Sequence, residues 1–416
     1  MKNILIVKKV KYFFLFILTV GIIISFATKI ILSKSLYQSG SETIGLFIPP
    51  FLCTLFMYFA GKEYQFNKKT LAVSLLLLLL LNLPFGNLLL KQIKPNPGDD
   101  FDYYFKYAQN MITHKTLWGG DQIRFNKESK SYITQPGYRY FVALELMIFQ
   151  KLYRFVSILN IALFITAFYL LLKTIHKKIK QTKLKLTLSA FLILSIPYAT
   201  KNILMGLPEW LTIILIILFA WFYFVKQKPF IAFIILAFVP FLRQNLLPPV
   251  VITLFIHCLS EKIDYRIIVS FVFILLLPIY HNLYYAGELR YFTSIFKWPF
   301  LEYKTPTSIK FKLWHILNNL LHYTGFDVRK KHVDFIEEGF LMLIFFVIIY
   351  VTIRKYFEKK SLRFWFYVTT LLTLIIPTLL LATDFYPRFE FVVIYFTIVL
   401  FLQFKTIHTT DHPPYL

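Results

Sequence analysis

Cysteine is almost missing from this chain, charge is scarce, and carboxylates are scarcer still. Only 2 cysteines occur in 416 residues. Cys53 and Cys258 each sit alone in an apolar run, which excludes a disulfide framework and a thiolate metal site and leaves two small buried hydrophobes. Charged residues make up 16% of the chain, where a soluble domain carries about 25%. In their place stand 57% hydrophobic and 19% aromatic residues, the composition of a polytopic membrane protein. Internal repeats, low-complexity tracts and separable soluble domains are all lacking, so residues 1–416 read as a single integral-membrane domain.

The shortage of acids raises the question of nucleic acid, because 21 Asp+Glu face 46 Lys+Arg and the net charge is +25. Position answers it. The basic residues lie in short loops between apolar segments, where the positive-inside rule expects them, and no basic stripe on a soluble domain accompanies them. Nucleic acid is therefore excluded as a partner, and membrane lipids take its place.

Apolar runs predict spans at 12–32, 43–60, 70–91, 154–174, 186–200, 209–225, 229–242, 246–260, 267–283, 338–353, 364–382 and 389–404, each long enough to cross all or most of a hydrocarbon core about 30 Å thick. The first is longer than a signal-peptide core and no small-x-small cleavage pattern follows it, so it reads as an uncleaved span. The loops GKEYQFNKK, KTIHKKIKQTKLK, VKQKP, SEKIDYR and RKYFEKKSLR are basic, whereas YATKNILMGLP and LRQN carry one basic residue each. This asymmetry places both termini in the cytoplasm and the chain in the cytoplasmic (inner) membrane. The segment QPGYRYFVALELMIFQKLYR, 135–154, has too short an apolar stretch to span. It reads as a helix lying in the outer interface, anchored by Tyr138, Tyr140 and Tyr153.

Two long outer loops remain, 92–153 and 284–337. A helix bundle does not require loops of that length, so function is expected there. The first contains NPGDDFDYYFKYAQNM, with Asp99, Asp100 and Asp102 within four residues. An amphipathic helix is expected, with Asp102 and Lys106 on its polar side and Phe101, Phe105, Ala108 and Met111 facing the membrane. One aspartate suffices to cap such a helix and complement its dipole. Three repel one another unless a cation, a basic partner or a shared proton relieves them, which favours a functional cluster over a purely structural one.

The run DDFDYYFKYAQNM resembles the D-D-x-x-x-x-F/Y-R/K-Y-A-x-N-L signature in the first outer loop of the GT-C fold glycosyltransferases. That family includes protein mannosyltransferases, lipid A aminoarabinose transferases and mycobacterial arabinosyltransferases, which use polyprenyl-phosphate sugars. LWGGDQ at 117–122 and QPGYRYFVALELMIF at 135–149 follow in the family's order. MGLPEW at 205–210 is similar to the family's S-G-x-E with one residue inserted. FLRQNLL at 241–247 is similar to L-T-R-P-E with Gln244 and Asn245 in place of Pro and Glu, and YPRFEF at 386–391 to R-Y-x-x-P without the proline. The strong agreement covers 92–150; the first two spans have no counterpart.

The resemblance implies an all-α transmembrane bundle that moves a sugar from a polyprenyl-phosphate donor to an extracytoplasmic saccharide, lipid or protein acceptor, with inversion. No nucleotide sugar is supplied outside the membrane, so a bilayer-borne donor fits the location. Asp99 or Asp100 is the expected base because the family pattern aligns on that pair, and Asp102 orients the acceptor or holds a cation. Divalent metal use stays open, since three carboxylates suffice to hold Mg²⁺ or Mn²⁺ weakly. Arg243 and Arg388, at outer span ends, are candidates for the donor phosphate; snorkelling to the interface is the alternative for Arg243, and pairing with Asp384 for Arg388. Glu209, Gln135 and Tyr138 are substrate-binding candidates, with Glu209 alternatively a simple helix start. The outer histidines His114, His281, His315, His322 and His332 lack ligand spacing, so zinc is not expected. A transporter or flippase of lipid-linked oligosaccharide would instead carry charge within its spans and repeat symmetry. A polysaccharide polymerase or ligase would rely on arginines and histidines in 284–337.

Overall fold

The computed structural model describes residues 40–63, 66–82, 100–115, 136–149, 156–180, 182–260, 263–286, 326–327, 332–333, 368–370, 373 and 387–407. The expected spans 12–32 and 338–353, nearly all of 364–382 and most of both long loops lie outside them.

The described chain is helical. In order come α1 (Gly40–Glu63), α2 (Lys68–Asn82), α3 (Asp100–Thr113), α4 (Pro136–Phe149), α5 (Val156–Lys178), α6 (Thr182–Leu194), α7 (Ile196–Leu204), α8 (Glu209–Ala220), α9 (Pro229–Ala237), α10 (Val239–Leu242), α11 (Leu247–Ser260), α12 (Tyr265–Leu275), α13 (Leu277–Ala286) and α14 (Pro387–Ile407). An antiparallel pair of two-residue strands, β1 (Phe326–Asp327) and β2 (His332–Val333), is the one addition to the expected all-α class, and it falls in the second long loop.

Two helical stretches among the described residues, Val156–Lys178 and Tyr265–Tyr284, are long and apolar enough to cross a membrane. Shorter apolar helices at Glu209–Val225, Pro229–Leu242, Gln244–Leu259 and Val392–Gln403 coincide with four further expected spans. Three expected spans prove to be bent. Residues 186–200 divide at Ser195, 229–242 at Phe238 and 267–283 at Leu276. Each break lies two residues before a proline, Pro197, Pro240 and Pro278. Proline has no N–H to give and its ring crowds the carbonyl four residues back, so the helix ends and restarts with proline in its first turn.

α8 is the central helix, packed against α5, α9 and α14. Its residues Trp210, Ile213, Ile216, Ile217, Phe219 and Ala220 are all buried, as a helix apolar on every side requires. Polar side chains join helices within this interior: Ser195 Oγ lies 2.9 Å from Tyr395 Oη, and Cys53 Sγ donates to Ser74 O at 2.8 Å. On the outer helices Leu76, Leu79, Val269 and Phe273 are more than half exposed. Apolar surface of that kind is costly in water and ordinary against lipid.

Two further sets of contacts between helices lie at opposite ends of the unit that α8 forms with its continuation to Val225, which is about 25 Å long at 1.5 Å per residue. One set joins Tyr58, Phe66 and His176, with ring centroids 4.7 Å apart for Phe66 and His176, and Tyr223 with His257 at 3.0 Å. The other joins Tyr104, Tyr138, Tyr140, Trp210, Phe241 and His281. The candidate site is built at this second end.

Candidate functional site

Two short helices from the first long loop form the floor of the site. α3 starts at Asp100, so Asp100 and Asp102 occupy its first turn. Their side chains, like all of Asp99 and Gln135, lie outside the described residues. α4 opens on Pro136, whose fixed φ suits a first helical position. Gly137 follows for a packing reason. A Cβ there would meet Phe241 Cδ1 at 2.5 Å and Phe241 O at 2.9 Å, so the absence of a side chain lets α4 sit directly on α10.

Ala108 and Met111 of α3 are buried in the common core and Phe105 packs on it. This corrects the expectation that they face the membrane: α4 offers an apolar partner, and α3 and α4 pack together. Tyr138 is likewise corrected from an interfacial anchor to a buried residue, 2% exposed. Its ring meets Tyr104 edge-on at 5.0 Å, and its hydroxyl accepts from Trp210 Nε1 at 3.4 Å. α4 does expose Leu144, Met147 and Ile148, the apolar face expected of an interfacial helix.

Arg139 makes the second link between the two segments. It is buried, and its guanidinium lies 5.0 Å from the centroid of the Tyr107 ring, a cation–π geometry. Tyr107 belongs to the Lys106-Tyr107-Ala108 part of the signature-like run.

Behind these helices Glu209 and Arg243 form a buried ion pair, in which Arg243 Nη2 donates to Glu209 Oε1. Local structure brings them together from two bends. Gly206 takes φ +61° in the turn after α7, a conformation glycine adopts without strain, and α8 then begins at Glu209, where an acid complements the helix dipole. Arg243 is extended, φ −139° and ψ 97°, between α10 and the 3-10 turn Gln244–Leu246, so its side chain leaves the helix line toward α8. Gln244 beside it is buried, and its Nε2 has no hydrogen-bond partner among the described residues.

Tyr138, Glu209 and Arg243 are thus gathered at one end of the bundle, and Tyr104, which packs on Tyr138, stands one helical turn, about 6 Å, along α3 from Asp100. Arg388 is the second residue of α14, and its side chain lies outside the described residues. Among the described residues no three His, Cys, Asp or Glu side chains converge as a metal site. Arg139, Tyr107, Trp210 and Gln244 escaped the sequence reading. Arg139 carried a usable signal, a lone charge in the first turn of an apolar helix; the others became neighbours only through packing. No family model matches the chain, and neither a curated protein nor a solved structure matches it.

α4 also holds Glu145, which is buried against α5. Asn160 Nδ2 donates to its Oε1 at 2.8 Å, and Asn160 Oδ1 has no partner among the described residues. Burial pushes the Glu145 carboxyl up to about 8, against the lesser opposing effect of the Asn160 bond, which favours its protonated form at neutral pH. A raised folded-state value means the folded protein keeps a proton the unfolded chain has lost. Stability should therefore fall as pH rises from about 4.5 to about 8 and level off above. Glu145→Gln keeps the acceptor and adds a neutral donor, so its thermal stability should vary less with pH across that window. A variant whose pH profile parallels that of the parent would show that Glu145 does not titrate there.

Proposed function

We propose that the chain is a GT-C type glycosyltransferase of about twelve spans in the cytoplasmic membrane, with both termini inside and the site on the outer face. It takes a sugar from a polyprenyl-phosphate donor and gives it to an extracytoplasmic saccharide, lipid or protein. One observation carries this reading: Tyr104 of the DDFDYYFKYAQNM run meets Tyr138 of QPGYRY edge-on, and Arg139 of QPGYRY lies over Tyr107 of the same run. Two segments that resemble the family in order are therefore also joined in space, and the second of them meets Trp210 of the MGLPEW segment and Phe241 of the FLRQNLL segment.

The chemistry follows from charge. The acceptor hydroxyl oxygen forms a bond to the anomeric carbon as the bond from that carbon to the phosphate oxygen breaks. Asp99 or Asp100 takes the hydroxyl proton as the new bond forms, since a carboxylate cannot deprotonate an alcohol beforehand. The polyprenyl phosphate leaves with the electron pair, and a guanidinium stabilises it. Glu209 holds Arg243 in place for that role, which makes it a positioning residue. The buried charges of the described residues, Arg139, Glu145, Glu209 and Arg243, gather at this one end, an arrangement that favours a surface-facing enzyme over a transport path.

The test uses the purified chain in liposomes with a polyprenyl-phosphate-linked radiolabelled sugar and candidate acceptors. Release of polyprenyl phosphate coupled to labelled acceptor is expected. Movement of lipid-linked oligosaccharide across the bilayer without bond cleavage would replace the enzyme with a flippase. For orientation, a cysteine at position 131 in place of Ser131 should react with an impermeant thiol reagent in intact cells, and one in place of Thr182 should not. The reverse pattern would put the aspartates in the cytoplasm and end the mechanism.

A further inference from the structure

At the opposite end of the bundle from the candidate site, Trp221 stands between two lysines. Lys173 Nζ of α5 is 5.6 Å from the centroid of its indole, and Lys226 Nζ is 5.8 Å away. Lys173 also lies 5.8 Å over the Tyr169 ring. The arrangement is built by the backbone. After Ala220 the helix widens into a π turn, Trp221–Val225, closed by the Lys226 N–H on Trp221 O at 3.1 Å. That extra residue per turn brings Lys226 back over Trp221, and such turns recur at functional positions.

The electrostatics here are one-sided. Lys226, Lys177 and Lys68 are the charges that bear on Lys173, and all repel it. Among the described residues no carboxylate offsets them: the two ion pairs found there join Arg243 to Glu209 and Arg266 to Asp264, neither involving these lysines. Like charges bearing on Lys173 from three other lysines cost free energy unless an anion joins them. Lys68, Lys177 and Lys226 are exposed, while Lys173 and Trp221 are half-buried, so the group opens outward from the bundle. A tryptophan with lysines at a span end sits at headgroup depth, and the loop charges put this end at the cytoplasmic surface, where anionic lipids concentrate positive side chains.

We infer that Lys173 and Lys226 around Trp221, with Lys68 and Lys177 at the rim, bind the phosphate of an anionic phospholipid headgroup at the cytoplasmic surface. The ring provides an apolar wall against the glycerol and upper acyl region, and the ammonium groups take the phosphate oxygens. The inference needs the membrane orientation of the chain but not glycosyl transfer.

The test places the full chain in phosphatidylcholine nanodiscs containing a small fraction of brominated lipid, either phosphatidylglycerol or phosphatidylcholine. The difference between the parent and Trp221→Phe isolates quenching of Trp221. Brominated phosphatidylglycerol should quench it at much lower content than brominated phosphatidylcholine. Apparent affinity should drop about five-fold in Lys173→Gln or Lys226→Gln and about 25-fold in the double variant, at roughly 1 kcal/mol per lysine. Lys180→Gln, outside the group, should change little. Equal quenching by the two lipids overturns the site, and so does a Lys180→Gln loss as large as that of the double variant. Displacement of phosphatidylglycerol by inorganic phosphate would assign the lysines to free phosphate and overturn the lipid reading.

Discussion

Replacing Asp99 or Asp100 with asparagine is expected to slow sugar transfer by about 100-fold or more while the protein still folds. Asparagine preserves size and some hydrogen bonding but accepts no proton at the moment of attack. The structural alternative predicts a different result. α3 begins at Asp100, and asparagine serves a helix start nearly as well as aspartate, so capping alone would leave all three variants close to the parent. Asp102→Asn should cost less than the other two, unless the aspartates share a divalent ion. In that case all three losses should be severe and partly restored by added Mn²⁺ or Mg²⁺. Unchanged transfer by purified Asp99→Asn and Asp100→Asn proteins would return the cluster to a capping role.

Removing one partner of the buried Glu209 and Arg243 pair should destabilise the bundle by about 3–5 kcal/mol, because an uncompensated charge is left inside. This revises what Arg243 suggests at the end of an apolar run, where it reads as a phosphate ligand or a snorkelling cation. Its burial against Glu209 ties its role to the fold as well as to the donor. Arg243→Ala should therefore lower both thermal stability and transfer, which by itself leaves the two roles mixed. The double variant Arg243→Met with Glu209→Gln separates them. Both charges are gone, so stability should recover most of the loss, while donor KM stays raised if the guanidinium serves the phosphate. Arg243→Lys should recover only part of donor binding, since an ammonium lacks the planar fork. A double variant with parental donor kinetics would make the pair a structural element alone.

Some of this architecture was written in local patterns. Apolar runs between basic loops give helices where α5, α8, α9, α11 and α12 are found, because helix formation and lipid compatibility both depend on short-range composition. The bends at Ser195, Phe238 and Leu276 were legible too, since Pro197, Pro240 and Pro278 mark each of them; counting uninterrupted apolar residues overlooked them. Arg139 was visible as a charge where none belonged. The facing of α3 was not. Its apolar side has the same pattern whether the partner is lipid or α4, and only the packing of α3 on α4 decides between them.

The sequence by itself determined the helical, apolar character of the chain, its charge asymmetry and the resemblance on which the proposed chemistry rests, because composition, proline positions and motif order are properties of short stretches. Tertiary structure alone decided that Glu209 answers Arg243 across 34 residues, that Tyr107 lies under Arg139 and that Lys173 meets Lys226 over Trp221. Each of these pairings spans separate helices. Its existence depends on which helix packs beside which and at what height, and those quantities are fixed by the sum of many side-chain contacts across the bundle.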